Sequence, residues 1–158
     1  MKQIPFYLGL LALLGLAGCD VLWNAANRGG LDRDFKALAS SCGVKVTLTK
    51  CQMLGATRDA ACEFTATREE IDSLVRGLSL KPVEPGSEAE ALVKYIESSS
   101  SYSWSGASGT DPSGLVRYAS GRRPRELVLK NGTAFEYLIL YYHPASGRAL
   151  ARLSYAYG

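Results

Sequence analysis

One histidine, His143, occurs in 158 residues, and no Cys-x-x-Cys pair occurs at all. That scarcity bears first on metals. Structural zinc is held by Cys and His clustered at short spacings. Here the gaps between Cys42, Cys51 and Cys62 are nine and eleven residues, so no metal site is expected. Any histidine-dependent catalysis has to use His143, which precedes Pro144 in a turn-like stretch and reads as a solvated loop residue. The chain also lacks a Gly-x-Ser-x-Gly elbow, a Ser-x-x-Lys pattern, a Gly-rich phosphate loop and a dinucleotide fingerprint. No cofactor and no catalytic residue is therefore singled out. Charge of one sign is missing too. With 18 Lys+Arg against 15 Asp+Glu, the balance does not suggest a nucleic-acid partner, which would call for a concentrated basic face. Beyond the first 18 residues the longest strongly apolar run is Tyr137–Tyr142, far short of the roughly 20 residues that span a bilayer.

What is present starts at the N-terminus. Lys2 gives one positive charge, and an apolar stretch from Ile4 to Leu16 follows, about the length of a secretion signal's core and too short for a stable span. It ends in Leu16-Ala17-Gly18-Cys19. These four residues resemble the lipobox of bacterial lipoproteins. Small residues fit a narrow peptidase cleft, and only a thiol supplies the nucleophile that becomes a diacylglyceryl thioether. The resemblance implies cleavage between Gly18 and Cys19 and palmitate-type acylation of Cys19. Its partner is then a lipid bilayer, in the cell envelope, with the domain facing the periplasm or exterior. Two or three acyl chains at about 0.8 kcal/mol per buried methylene make such an anchor effectively permanent. Asp20 resembles the enteric signal that retains lipoproteins in the inner membrane.

The division expected is a signal peptide over 1–18, a lipidated tether over 19–30 and one α+β domain over 31–158. Asp32 is read as the cap of a helix to about Ser40, with Phe35, Leu38, Ala39 and Cys42 on one stripe and Gly43 as its stop. Val44–Thr49 alternates with period two, and Ala61–Ala66 is a second strand across a turn at Gly55–Asp59. Thr67-Arg-Glu-Glu70 and Ser87-Glu-Ala-Glu90 are capping-box patterns. They open helices with Ile71, Leu74, Val75 and Leu78, and with Ala89, Leu92, Val93 and Ile96, on one side. Residues 98–114 hold eight serines and read as a loop, with Tyr102 and Trp104 as an alternative edge strand. Glu126–Leu129, Asn131-Gly132 and Thr133–Tyr142 read as a hairpin with a two-residue type I′ turn. His143–Gly147 is a second turn, Arg148–Tyr157 a third strand, and Leu115–Ala119 a fourth. The fold expected is an antiparallel sheet, an N-terminal hairpin plus a C-terminal meander of three or four strands, with two to three packed helices.

With Cys19 lipidated, three thiols remain, and outside the cytoplasm a disulfide is the first expectation. Cys51–Cys62 fits a symmetric hairpin. That register, however, puts Val44, Val46 and Leu48 on the face opposite Phe64. A bulge near Gly55 would satisfy both. Pairing of Cys42 with either cysteine, or small buried thiols, are the alternatives.

Glu69, Glu70 and Asp72 are explained by the positive end of a helix dipole. Arg122, Arg123 and Arg125 form the one concentrated basic patch, a solvated loop or a contact for anionic headgroups or polymers. Tyr137, Tyr141, Tyr142, Tyr155 and Tyr157, with Tyr102 and Trp104, are either strand packing or an aromatic surface for glycan or protein. The expectation is a membrane-anchored lipoprotein that binds an envelope protein or glycan, or assists envelope assembly, without catalysis. The alternative is an envelope enzyme working on glycan with carboxylates. Two facing carboxylates in a deep cleft, or His143 beside a Ser or Asp, favour the enzyme; a shallow surface with exposed tyrosines favours the binder.

Overall fold

The computed structural model of the chain describes residues 30–54, 58–98, 114–122 and 124–156. Cys19, Asp20 and the signal segment lie outside the described residues, as do Tyr102, Trp104, Arg123 and Tyr157. Helix α1 covers 30–41, so it already includes the last residue assigned to the tether. Leu31, Phe35, Leu38 and Ala39 form its buried stripe. Asp32 lies inside this helix and is not its cap. Gly43, at φ +74°, takes the left-handed conformation that ends it.

Strands β1 (Thr47–Met53) and β2 (Asp59–Thr65) follow, then α2 (Arg68–Gly77), β3 (Lys81–Pro82), α3 (Glu88–Ser98), β4 (Val116–Ala119), β5 (Phe135–His143) and β6 (Arg148–Tyr155). All six strands form one antiparallel sheet in the order β1-β2-β6-β5-β4-β3. The fold is α+β, with three α-helices among the described residues. Strands β5 and β6 sit in the middle with both faces covered, and all their residues but Glu136, His143, Arg148 and Tyr155 are buried. On one face, α1 and α2 pack on Cys62 and Phe64 of β2, Leu138 and Leu140 of β5, and Ala151 and Leu153 of β6. On the other, α3 places Val93 and Ile96 on Ala61, Ala119, Ile139 and Leu150. The short edge β3 carries Lys81 and Pro82, two residues that discourage further strand pairing.

The capping box at α2 forms in full, and the one at α3 with its return bond displaced by one residue. Thr67 Oγ1 accepts from the Glu70 N–H at 3.3 Å, and the Thr67 N–H donates to Glu70 Oε2 at 2.8 Å. At α3, Ser87 Oγ accepts from the Glu90 N–H at 3.1 Å, but the Glu90 carboxylate reaches back to the N–H of Gly86 instead of Ser87. The Ser87 N–H is already bonded to the Glu84 carbonyl.

Cys51 and Cys62 are directly opposite in the β1–β2 ladder and form a disulfide, with Cα atoms 4.1 Å apart. The bulge that reconciles this with the apolar pattern lies at Thr49, between Leu48 and Lys50, and not near Gly55. Leu48 thereby pairs with Phe64, and Val44 and Val46 bury just before the strand begins. Cys42 is free.

The Asn131-Gly132 turn is of another type from the one expected. Type I′ requires positive φ at both central residues, and here Gly132 alone, at φ +86°, has it. The Gly132 N–H donates to the Leu129 carbonyl, the Leu129 N–H donates to the Thr133 carbonyl, and Asn131 Oδ1 accepts from the Thr133 N–H. This is a type I turn closed by a glycine bulge. The strand expected over Glu126–Leu129 reduces to a 3₁₀ turn, Arg125–Leu127, and a single bridge from Val128 to Ala134.

Candidate functional site

Helix α3 positions the most chemically varied surface among the described residues. Its register is fixed from both ends of its first turn by Ser87 and Glu90. Lys94, one turn on, lies 2.9 Å from the Glu90 carboxylate. These bonds hold the Glu90 carboxyl below its ordinary pKa, chiefly through Lys94 and then through the Gly86 N–H. The helix covers only part of the sheet. Two hollows open beside it, one of about 670 Å³ toward β3 and β4, the other of about 320 Å³ toward β2, β5 and β6. Leu92, Tyr95 and Arg122 border both. Tyr95 is 65% exposed, the more exposed of the two large apolar side chains, with Val128, that stand out from the described surface.

The larger hollow has Lys81, Glu84, Glu88 and Ser120 on its walls. The smaller has Asp59, Glu136, Tyr137 and Ser154. Beneath it lies a buried ion pair. Arg152, 2% exposed, donates from Nη2 to Asp59 Oδ2 at 3.2 Å. A guanidinium in the middle of a sheet is costly to desolvate, and its partner has to be close and well aligned. The Arg152 Nε has no hydrogen-bond partner among the described residues, so within them the pair is imperfectly satisfied. Tyr137 joins it through hydrogen bonds to Asp59 and Ser154. Burial first, and then the Asp59 carboxylate, push its phenol well above the ordinary value. At the other end of α3, the Tyr141 hydroxyl donates to Glu97 Oε1 at 3.0 Å, and Arg117 lies 3.7 Å from the same oxygen. Tyr141 is shifted upward for similar reasons, burial leading and Glu97 following.

The tyrosines expected in the strands divide by face. Tyr137, Tyr141 and Tyr142 are buried, and Tyr155 is half-buried against Phe135 at a ring-centroid distance of 4.9 Å. They pack and do not form one exposed aromatic surface. Among the described residues the aromatic that does face solvent is Tyr95, on the helix. Of the basic patch, Arg122 is exposed at both hollows, and Arg125 is exposed in the 3₁₀ turn. Glu70 serves as the reciprocal cap of α2, and Asp72 pairs with Arg68 at 3.1 Å on its exposed side.

Two of the features set out as favouring an enzyme occur in part. His143 Nδ1 lies 3.0 Å from Ser146 Oγ. Both belong to one four-residue turn between β5 and β6, where Ser146 also contacts the His143 carbonyl and the Arg148 N–H. A serine held this way braces a turn. Asp59 and Glu136 line one hollow, but Asp59 is tied to Arg152 and Tyr137. Among the described residues no group of three or more His, Cys, Asp or Glu side chains could hold a metal, and no helix is long and apolar enough to cross a membrane.

Sequence reasoning misses that Asp59 and Tyr95 border one hollow and that Arg152 lies buried beneath it. A signal for Arg152 does exist: it stands between Ala151 and Leu153 at the centre of the strand expected over Arg148–Tyr157, where a buried charge demands a partner. No family model, curated protein or solved structure matches the chain.

Proposed function

We propose that the chain is an extracytoplasmic lipoprotein, anchored to a bilayer through acyl chains on Cys19, whose folded domain binds an envelope component at the two hollows beside α3. The reading takes its address from Leu16-Ala17-Gly18-Cys19 and the apolar segment before it. It takes support from Cys51–Cys62, a bond that persists in oxidising compartments and is rare in the cytosol. The observation that carries the binding role is the surface itself. Exposed Tyr95 and Arg122 stand over hollows of mixed polarity, while the carboxylate beneath is already committed to a buried guanidinium. Asp20 favours the inner membrane as the anchoring leaflet's home.

The test is metabolic labelling with a palmitate analogue in a Gram-negative host. The native chain is expected to take the label and to sediment with membranes. Cys19→Ser is expected to abolish both, and Cys42→Ser to leave both unchanged. Label that persists in the Cys19→Ser chain contradicts the anchor.

A further inference from the structure

We propose that the smaller hollow is a subsite for one sugar ring of a neutral glycan, which continues past Tyr95 and Arg122 into the larger one. The inference deepens the binding reading above and rests on it. A pyranose ring presents hydroxyls around its edge and C–H groups on its faces. Its edge needs acceptors and donors side by side, and its face needs an apolar or aromatic wall. The hollow of about 320 Å³ supplies both. Glu136 offers carboxylate oxygens and Arg122 N–H donors, and the Asp59 carboxylate with the Tyr137 and Ser154 hydroxyls, already bonded within the protein, completes the polar wall. Leu92 and Ile96 form the apolar side. Tyr95, 65% exposed at the border of both hollows, is placed to stack on a ring as it passes.

Charge and size narrow the class. Two carboxylates are set against Arg122 and the Arg152 that pairs with Asp59, so the site carries no surplus of either sign. A phosphate or nucleotide would need excess positive charge, and a purely apolar ligand would strip water from two carboxylates without replacing it. The volume stands at the lower end of small-ligand cavities, roughly 300–1,000 Å³, which suits a single ring, and the adjoining 670 Å³ leaves room for its neighbours. Asp59 is also fixed in place before any ligand arrives, by Arg152 at 3.2 Å and by the Tyr137 hydroxyl. Such preorganisation reduces the entropy lost on binding.

The full-length protein, purified in a detergent without a sugar headgroup, is screened against an array of neutral, N-acetylated and acidic oligosaccharides, and hits are titrated calorimetrically. Saturable binding of a neutral or N-acetylated oligosaccharide is expected. Tyr95→Ala should weaken it about tenfold and Arg122→Ala several-fold. Val128→Ala, exposed but outside both hollows, should leave it unchanged. Unchanged circular dichroism keeps these surface variants interpretable. No binding anywhere on the array overturns the proposal, as does binding that Tyr95→Ala does not affect or a strict preference for acidic sugars. Shortened oligosaccharides in the incubation would uphold the sugar subsite and overturn the non-catalytic reading. Palmitate labelling tests the anchor separately, so loss of either conclusion leaves the other readable.

Discussion

Arg152 and Asp59 show what one buried charge demands. Removing the carboxylate leaves a guanidinium at 2% exposure facing a neutral group. Asp59→Asn is therefore expected to lower the unfolding free energy by about 3 kcal/mol in urea titration. Asp59→Leu combined with Arg152→Met should lose less than the single change, because no unpaired charge remains. Equal losses in the two would show that the pair matters through packing alone. Sequence reading does not expose this pair. Its members are 93 residues apart, and only the β2–β6 register brings them together. Gly77 makes a second residue-scale point. A Cβ there would stand 2.6 Å from Cys42 Sγ and 2.9 Å from its Cβ, so the turn that follows α1 packs closely on the end of α2. Gly77→Ala is expected to destabilise by about 1 kcal/mol despite alanine's better helix propensity. Cys42→Ala in the same background should recover part of the loss.

Elements whose rules are local were legible from composition alone. The two capping boxes needed only Thr67 and Ser87 three residues before a glutamate, and both helices begin there. Thr67→Ala should cost about 1 kcal/mol by thermal melting, with little further loss when Glu70→Ala is added, since the two bonds form one device. Elements decided by pairing were less legible. Asn131-Gly132 is a turn signal whichever turn type forms. The choice fell to a type I turn with a glycine bulge because Glu126–Leu129 makes only one isolated bridge, from Val128 to Ala134, just ahead of β5. In the β1–β2 hairpin the cysteines and the apolar faces asked for registers one residue apart, and the extra residue at Thr49 answers both. The bond closes a loop with a sequence separation of 11. Replacing both Cys51 and Cys62 with serine should therefore lower stability by about 3 kcal/mol under oxidising conditions. Dithiothreitol should have a comparable effect on the native chain and none on the double variant.

Across the whole molecule, the three phenols of Tyr137, Tyr141 and Tyr155 couple alkaline pH to the fold. Each is raised above the ordinary value near 10, by burial first and then by Asp59, Glu97 or Asp34 respectively. A phenol raised on folding adds stability that is fully present below about pH 10 and is lost as pH climbs beyond it. Their phenolate absorbance should consequently appear together with unfolding, followed by circular dichroism in the same alkaline titration. Ionisation of these three phenols while the circular dichroism is still native would contradict the buried network. At this scale the domain's surface and its address are one proposal: the glycan-binding hollows serve a protein that stays at a membrane. The address is tested most directly by intact-mass and N-terminal peptide analysis of the native protein extracted from membranes. The account predicts a chain that starts at Cys19, carries diacylglyceryl and acyl groups there, and contains an oxidised Cys51–Cys62 pair. A chain that still begins at Met1, with a free thiol on Cys19, would contradict it.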